Sequence, residues 1–271
     1  MAPDKVTTAT IRQRKIKGET AEKIACVTAY DVAFARLADR AGMDVILVGD
    51  SLGMVVQGHA STLPVTLDDI LYHTRAVLRG ASRPHVVADL PFMSYQASIE
   101  DGVRAAGRLL KEAGAEAVKL EGGEEMADLV RRLSSIGIPV MGHVGLTPQS
   151  IRRFGGFKLQ GRDPESRRAI LQGARAIADA GVYAIVVEGV PADLAQEVTA
   201  AVPVPTIGIG AGPHCDGQVL VMHDLLGLDP GWNPRFVRRY AELGKEAERA
   251  FAAYAADVRS GKFPSDGESF G

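Results

Sequence analysis

Residues 45–48, VILV, are four consecutive apolar positions that run into Gly49, Asp50 and Ser51. Just before them, DVAFARLADRAG spaces its apolar positions as a helix would and closes on a glycine. The same order returns in KEAGAEAVKLEG, SSIGIPVMGHVG and ADAGVYAIVVEG. Each copy has an amphipathic helical segment, a glycine, a short link, an apolar run and then a polar residue. The glycines are Gly42, Gly114, Gly137 and Gly181. They stand where a left-handed helix C-cap belongs, a conformation glycine adopts without steric cost.

Near-continuous apolar runs alternating with helices predict a parallel sheet buried on both faces. The strand candidates are 24–28, 45–48, 85–88, 117–120, 139–142, 184–187, 205–208 and 219–222. Eight βα units predict an α/β fold of the closed (β/α)8 TIM-barrel type, with an open doubly wound sheet as the alternative. In SIEDGVRAAGRLLKEAG the expected buried face is Ile99, Val103, Ala106 and Leu110, with Ser98 as the cap. In DVAFARLADRAG it is Phe34, Leu37, Ala38 and Ala41. TTATIRQRKIKG reads as an extra N-terminal helix, and PRFVRRYAELGKEAERAFAAYA as C-terminal helices suited to assembly. No Pro-, Ser- or Gly-rich linker divides residues 1–271, so one barrel domain is expected.

Composition narrows the function class. A formal net charge of −2 gives no global field for nucleic acid or an anionic membrane, so neither is expected as a partner. The basic cluster IRQRKIK has few apolar positions and reads as a solvated helix face. Two cysteines, Cys26 and Cys215, cannot build a disulfide framework, and Cys26 lies in an apolar run as a small core residue. The first ten residues lack the pattern of a signal peptide and no run is long enough for a membrane span. A cytoplasmic location is the expectation.

The polar residues after the strands carry the chemistry. In a parallel barrel all strands end on one face, and that face holds the active site. Asp50 follows the second strand, Asp89 the third and Glu121 the fourth. Strands lie about 4.8 Å apart, which puts three carboxylates within about 10 Å of one another. Each alone would read as a turn or cap residue. Together they repel unless a cation sits among them, and an all-oxygen set suits a hard ion such as Mg²⁺. Lys119 and Glu121 are two apart and point the same way from a strand. Lys119 is either an ion-pair partner or a holder of a bound carboxylate or developing enolate.

Glu188 ends the sixth strand, away from the three acids, where it is free to act as a base; a salt bridge is the alternative. His143 ends the fifth as a hydrogen-bond donor or a plain rim residue. GIGAG (208–212) suits either phosphate binding or tight packing. The remaining histidines lack a zinc-ligand spacing. A hard metal holding a 2-oxo acid by its keto and carboxylate oxygens stabilises an enolate, and a carboxylate opposite removes the α-carbon proton. These pieces imply enolate carbon–carbon chemistry.

VGDSLGMVVQGH, TLPVT, ADLPF, VKLEGG, HVGLTPQS, GGFKLQGR and GIGAG…DGQVLVMHD occur in this order between about Thr10 and Arg239. Together they resemble the ketopantoate hydroxymethyltransferase family. The resemblance implies a barrel of the phosphoenolpyruvate/pyruvate type. It also implies transfer of a hydroxymethyl group from 5,10-methylenetetrahydrofolate to 3-methyl-2-oxobutanoate, forming ketopantoate in pantothenate biosynthesis. Asp50, Asp89 and Glu121 would bind or support Mg²⁺. Asp50, Ser51, Asp89 and Lys119 would hold the 2-oxo acid, and Glu188 would be the proton acceptor. A homo-oligomer, commonly a decamer, is implied as well. Two positions depart from the pattern: Gly189 stands where cysteine is expected, and Asp163 where glycine is expected. Two other readings stay open at this stage, a folate-independent Mg²⁺ barrel acting on a 2-oxo acid and a barrel that binds such an acid without turning it over.

Overall fold

A computed structural model of the chain describes residues 4–15 and 22–270. These fall into two compact units, Met1–Leu220 and Val221–Gly271. In the first, eight parallel strands close a barrel in chain order. They are β1 (Ile24–Thr28), β2 (Val45–Val48), β3 (His85–Asp89), β4 (Ala117–Lys119), β5 (Val140–Gly145), β6 (Ala184–Glu188), β7 (Thr206–Ile209) and β8 (Gly217–Leu220). Closure comes from β8 pairing with β1, where Ile24 aligns with Gly217. All eight expected strands are present and the open-sheet alternative is excluded. β8 starts and ends two residues earlier than expected, because Met222 begins a short helix, Met222–Leu226.

The apolar runs are continuous because each strand is covered on both sides. One set of alternating residues fills the barrel, among them Ile24, Cys26, Val45, Leu47, Val87 and Met141. Cys26 is a free, buried thiol there, and burial pushes its pKa up. The other set, including Ile46, Val48 and Val86, packs outward with Ala35 and Val77 of the covering helices. The four glycines that close the repeated helical segments all have positive φ, from 81° to 111°.

The helices are where expected, and Ala106 and Ala38 pack inward as expected, but the large residues Ile99 and Leu37 do not share the buried faces. Helix Ile99–Arg108 buries Gly102, Ala105 and Ala106, while Ile99 is 40% exposed. Helix Val32–Arg40 buries Ala35, while Leu37 is 57% exposed. Small residues face the barrel because they let the helix axis approach the sheet closely. Ser98 does cap its helix, its hydroxyl accepting from the Asp101 N–H at 3.1 Å.

The leading helix, Thr8–Gln13, is shorter than expected; Ile16, Lys17 and Gly18 lie outside the described residues. Its Ile11 is fully buried and joins Val6 in the core cluster inside the barrel. The basic cluster is therefore not simply a solvated face. Arg14 pairs with Asp44 at 2.8 Å and Lys15 with the buried Asp216 at 2.9 Å, at the starts of β2 and β8. Within the second unit, the C-terminal helix runs Leu243–Arg259, and residues 234–240 are not helical, contrary to the expectation. Among the described residues no helix is long and apolar enough to cross a membrane.

Candidate active site

The polar residues that end the strands are the top layer of the barrel interior. Inward positions recur every second residue: Val87 then Asp89 on β3, Ala117 then Lys119 on β4 with Glu121 just after it, Met141 then His143 on β5, and Val186 then Glu188 on β6. Asp89 and Lys119 are direct neighbours in the β3–β4 register. Asp50 is out of this phase, since Leu47 points inward and Gly49 takes the next inward position. A Cβ on Gly49 would lie 2.9 Å from Ser51 Oγ and 3.3 Å from Asp89 Oδ2. Glycine there leaves room for the Asp89 carboxylate, which accepts the Asp50 N–H through Oδ2 at 2.9 Å.

Lys119 Nζ donates to Asp89 Oδ1 at 2.6 Å, so both oxygens of Asp89 are engaged. Asp50 Oδ2 accepts from Gln149 Nε2 at 2.9 Å, and Glu121 Oε2 accepts the Gln149 main-chain N–H at 2.9 Å. Neither Asp50 nor Ser51 caps a helix through its side chain. Ser51 precedes the short helix Leu52–Val55 without a side-chain cap bond, and its Oγ is 2.8 Å from the Tyr30 hydroxyl. Asp50, Asp89, Lys119 and Glu121 are all at most 5% exposed.

Three buried carboxylates against one ammonium leave two negative charges uncompensated when all are ionised. Burial, then the neighbouring Asp89, pushes the Asp50 carboxyl up to about 7, against the pull of Lys119 and Gln149. Burial and Asp50 raise Glu121 well above the usual range. Burial alone would lower the Lys119 ammonium, but Asp89, Glu121 and Asp50 together outweigh it and raise it. Lys119 is a fixed cation.

His143 sits inside β5 rather than at its end, because the pairing of Gly145 with Glu188 extends the strand. Its Nε2 lies 3.2 Å from Glu188 Oε2 and its Nδ1 3.6 Å from Glu121 Oε1. Neither ring nitrogen is aligned for a hydrogen bond, although both are buried. Burial lowers the imidazole pKa, an effect that Glu188 partly offsets. Glu188 is consequently less remote from the other acids than strand order implied, since one neutral imidazole separates it from Glu121. It is also the more open acid, its side chain 19% exposed against 3% for Glu121.

Gln149 and Tyr95 were missed by the sequence reading. Tyr95 sits in the loop after β3 and Gln149 in a single 3-10 turn, Pro148–Ser150, after β5, and neither segment is long enough for periodicity to mark an inward residue. At the two departures, Gly189 has φ of +55° and a Cβ there would lie 2.9 Å from Leu146 Cβ. Asp163 is more than a loop substitution, for it caps helix Pro164–Ala180 by accepting from Glu165 N–H at 3.1 Å and Ser166 N–H at 2.9 Å. In GIGAG, Gly208 lies against the Gln218 and Cys215 side chains, in keeping with tight packing.

No group of three or more His, Cys, Asp or Glu among the described residues is arranged by itself to hold a metal ion. The donor chemistry nonetheless fits a hard divalent cation, with clustered carboxylates, excess negative charge and an orphaned imidazole at the same face. Mg²⁺ keeps several of its waters and commonly takes only one or two carboxylates from the protein. It has no need of a complete protein cage.

The sequence model of the family described as ketopantoate hydroxymethyltransferase matches residues 5–266, well beyond the motifs quoted above. A 3-methyl-2-oxobutanoate hydroxymethyltransferase of Moorella thermoacetica is 57% identical over 261 residues, covering 96% of this chain and 97% of its own. Among solved structures, 2,3-dimethylmalate lyase, a PEP mutase/isocitrate lyase superfamily member, aligns at a TM-score of 0.59 and 17% identity, covering 97% of this chain and 91% of its own. Phosphonopyruvate hydrolase, solved with oxalate and Mg²⁺, aligns at 0.59 and 14% identity, covering 96% and 91%. These two likenesses show the (β/α)8 fold and no more, and the family match and the 57% identical relative show the family: the chain belongs to the ketopantoate hydroxymethyltransferase family of enzymes.

Proposed function

We propose that this enzyme transfers a hydroxymethyl group from 5,10-methylenetetrahydrofolate to the C3 carbon of 3-methyl-2-oxobutanoate, giving ketopantoate in cytoplasmic pantothenate biosynthesis. The observation that carries the reading is the polar layer itself. Three buried carboxylates and a lysine lie at or just after the ends of β2 to β4, beside His143 and a more open Glu188 on β5 and β6. Asp50 and Asp89 would hold Mg²⁺, with Glu121 in support, and Ser51 and Lys119 would complete the hold on the 2-oxo acid. When bound, the ion supplies Lewis-acid withdrawal of charge from the keto oxygen. A neighbour of the same fold, phosphonopyruvate hydrolase, holds oxalate, itself a 2-oxo-acid-like dianion, together with Mg²⁺.

The chain's own groups divide the remaining work. Lys119 stays protonated beside Asp89, so it can meet an anionic oxygen of the substrate without giving up a proton. Glu188 accepts the C3 proton, and His143, neutral by burial, presents ring nitrogens that have no hydrogen bond of their own. The apolar lower layer of the barrel keeps water from beneath the site.

One assay tests this reading. Purified protein with Mg²⁺, 3-methyl-2-oxobutanoate and methylenetetrahydrofolate should form ketopantoate, stop on chelation and resume on adding Mg²⁺. Cleavage of a 2-oxo acid without folate, and no ketopantoate with it, would favour a lyase-like reaction. Binding without turnover would reduce the protein to a 2-oxo-acid sensor. Full activity in thoroughly metal-free buffer would overturn the metal assignment.

Assembly into a homo-oligomer, a decamer on the family pattern, is part of the same proposal. Phe251, Tyr254 and Val258 recur at helical spacing on Leu243–Arg259 and are 73%, 58% and 45% exposed, an apolar face of the kind assembly covers. Light scattering should give a mass several times 28.7 kDa, and a monodisperse monomer at micromolar concentration would count against it.

A further inference from the structure

Gln149 uses every hydrogen-bonding position of its side chain, and its place in the network extends beyond the residues given roles above. Its Nε2 donates to Asp50 Oδ2 and to the Leu90 carbonyl, both at 2.9 Å. Its Oε1 accepts from the Tyr95 hydroxyl and from Gln96 Nε2, both at 2.8 Å. Its main-chain N–H donates to Glu121 Oε2 at 2.9 Å. One residue, 6% exposed and placed after β5, therefore ties together the carboxylates that follow β2 and β4.

The polarity of this chain is fixed at both ends by main-chain groups. The Leu90 carbonyl can only accept, so the amide nitrogen of Gln149 must face it, and the same nitrogen then faces Asp50. At the other end the Met93 N–H can only donate, and it donates to Gln96 Oε1 at 2.6 Å. Gln96 must therefore offer its nitrogen to Gln149 Oε1, which fixes the Gln149 amide in the same sense. Tyr95 fits this order, accepting the Glu121 N–H at 3.0 Å and donating to Gln149. Met93 has φ of +65°, an unusual conformation for a residue with a side chain, and Gln96 holds the N–H it exposes. The loop after β3 and the carboxylate after β2 are thus connected through two glutamines.

We infer that Gln149 is a positioning residue that orients Asp50 and Glu121 for the divalent cation, with its own amide locked by Gln96 and Tyr95. This deepens the proposed function and rests on its metal assignment. The physical basis is the one that governs outer partners of metal ligands: a carboxylate held by a directed donor presents its other oxygen in one orientation, and losing the donor weakens metal binding about 10- to 100-fold.

The test measures Mn²⁺ affinity by electron paramagnetic resonance titration, together with thermal unfolding in metal-free buffer. Gln149→Met keeps the length of the side chain, removes its donors and acceptor, and retains the main-chain bond to Glu121. It should weaken Mn²⁺ binding by about 10-fold or more. Gln96→Leu, which touches no carboxylate, should weaken it less but in the same direction. A purely structural Gln149 would lower the unfolding temperature and leave the Mn²⁺ affinity of both folded variants within about twofold of the parent, and that result overturns the inference. If Gln149→Met does not fold, Gln96→Leu decides alone, and unchanged affinity there overturns it too. A parent protein that binds no Mn²⁺ overturns the metal assignment itself, a failure distinct from parent and variants binding equally well.

Discussion

Glu188→Gln should slow exchange of the C3 proton of 3-methyl-2-oxobutanoate in D₂O by about 10²- to 10⁴-fold, the usual loss when a general base is removed. The exchange is followed by NMR without folate, so it reports proton removal and not carbon transfer. Glutamine keeps the size and reach of glutamate and loses its basicity together with its charge. Glu188 contacts His143 at 3.2 Å, whereas Asp50 and Glu121 are held from Gln149 and Asp89 is held by Lys119. Affinity for Mg²⁺ and for the 2-oxo acid should therefore remain close to that of the parent. Exchange at the parental rate would dismiss Glu188 as the base and promote His143, whose Nε2 lies 3.2 Å from it. Collapse of metal binding would mean that the β6 side of the rim is part of the cation site.

The strands were legible because a barrel buries both faces of each one, leaving unbroken apolar runs that glycine-capped helices punctuate. Polar rim residues were legible for a related reason: alternation carries Asp89, Lys119, Glu121 and Glu188 inward from apolar predecessors. Asp50 breaks that alternation, and it is held by contacts that no periodicity reveals, its N–H donating to Asp89 and its carboxylate accepting from Gln149. The helix faces read from spacing were right at Ala106 and Ala38 but not at the large residues Ile99 and Leu37. Gly102 and Ala105 face inward beside Ala106 and Leu37 faces out, since close helix–sheet packing selects for small residues and outer surfaces tolerate large ones. Gln149, Tyr95 and Gln96 gave no signal because a loop or a single 3-10 turn has no phase to read, and the partners of Gln149 are far away in sequence. Gln149 is 99 positions from Asp50. The extension of β5 past His143 depended likewise on pairing with β6, which periodicity within β5 cannot reveal.

Lys119→Met should be the most damaging single change to the fold in this layer. The ammonium is 4% exposed and 2.6 Å from Asp89, itself 2% exposed. Methionine fills most of the same volume, so the expected loss is electrostatic and not one of packing. Removing one partner of a buried ion pair costs about 3–5 kcal/mol, because the other charge stays buried without compensation. Here the burden is heavier than a lone carboxylate, since Asp50 and Glu121 also draw on the same cation and are already pushed up by burial. Asp89→Asn should be milder on stability, since Lys119 would still have Asp50 and Glu121 as counter-charges. Urea unfolding in chelator should show the full loss for Lys119→Met, read from the midpoint at unchanged slope. Adding Mg²⁺ should recover part of it, because a divalent cation bound to the native state replaces the missing charge and shifts the equilibrium by mass action. The 2-oxo acid should nevertheless bind poorly, since the ion cannot take over the position of the ammonium. A variant within about 1 kcal/mol of the parent in chelator would mean that the three carboxylates share protons and carry little net charge in the folded state. Lys119 would then be retained for substrate alone.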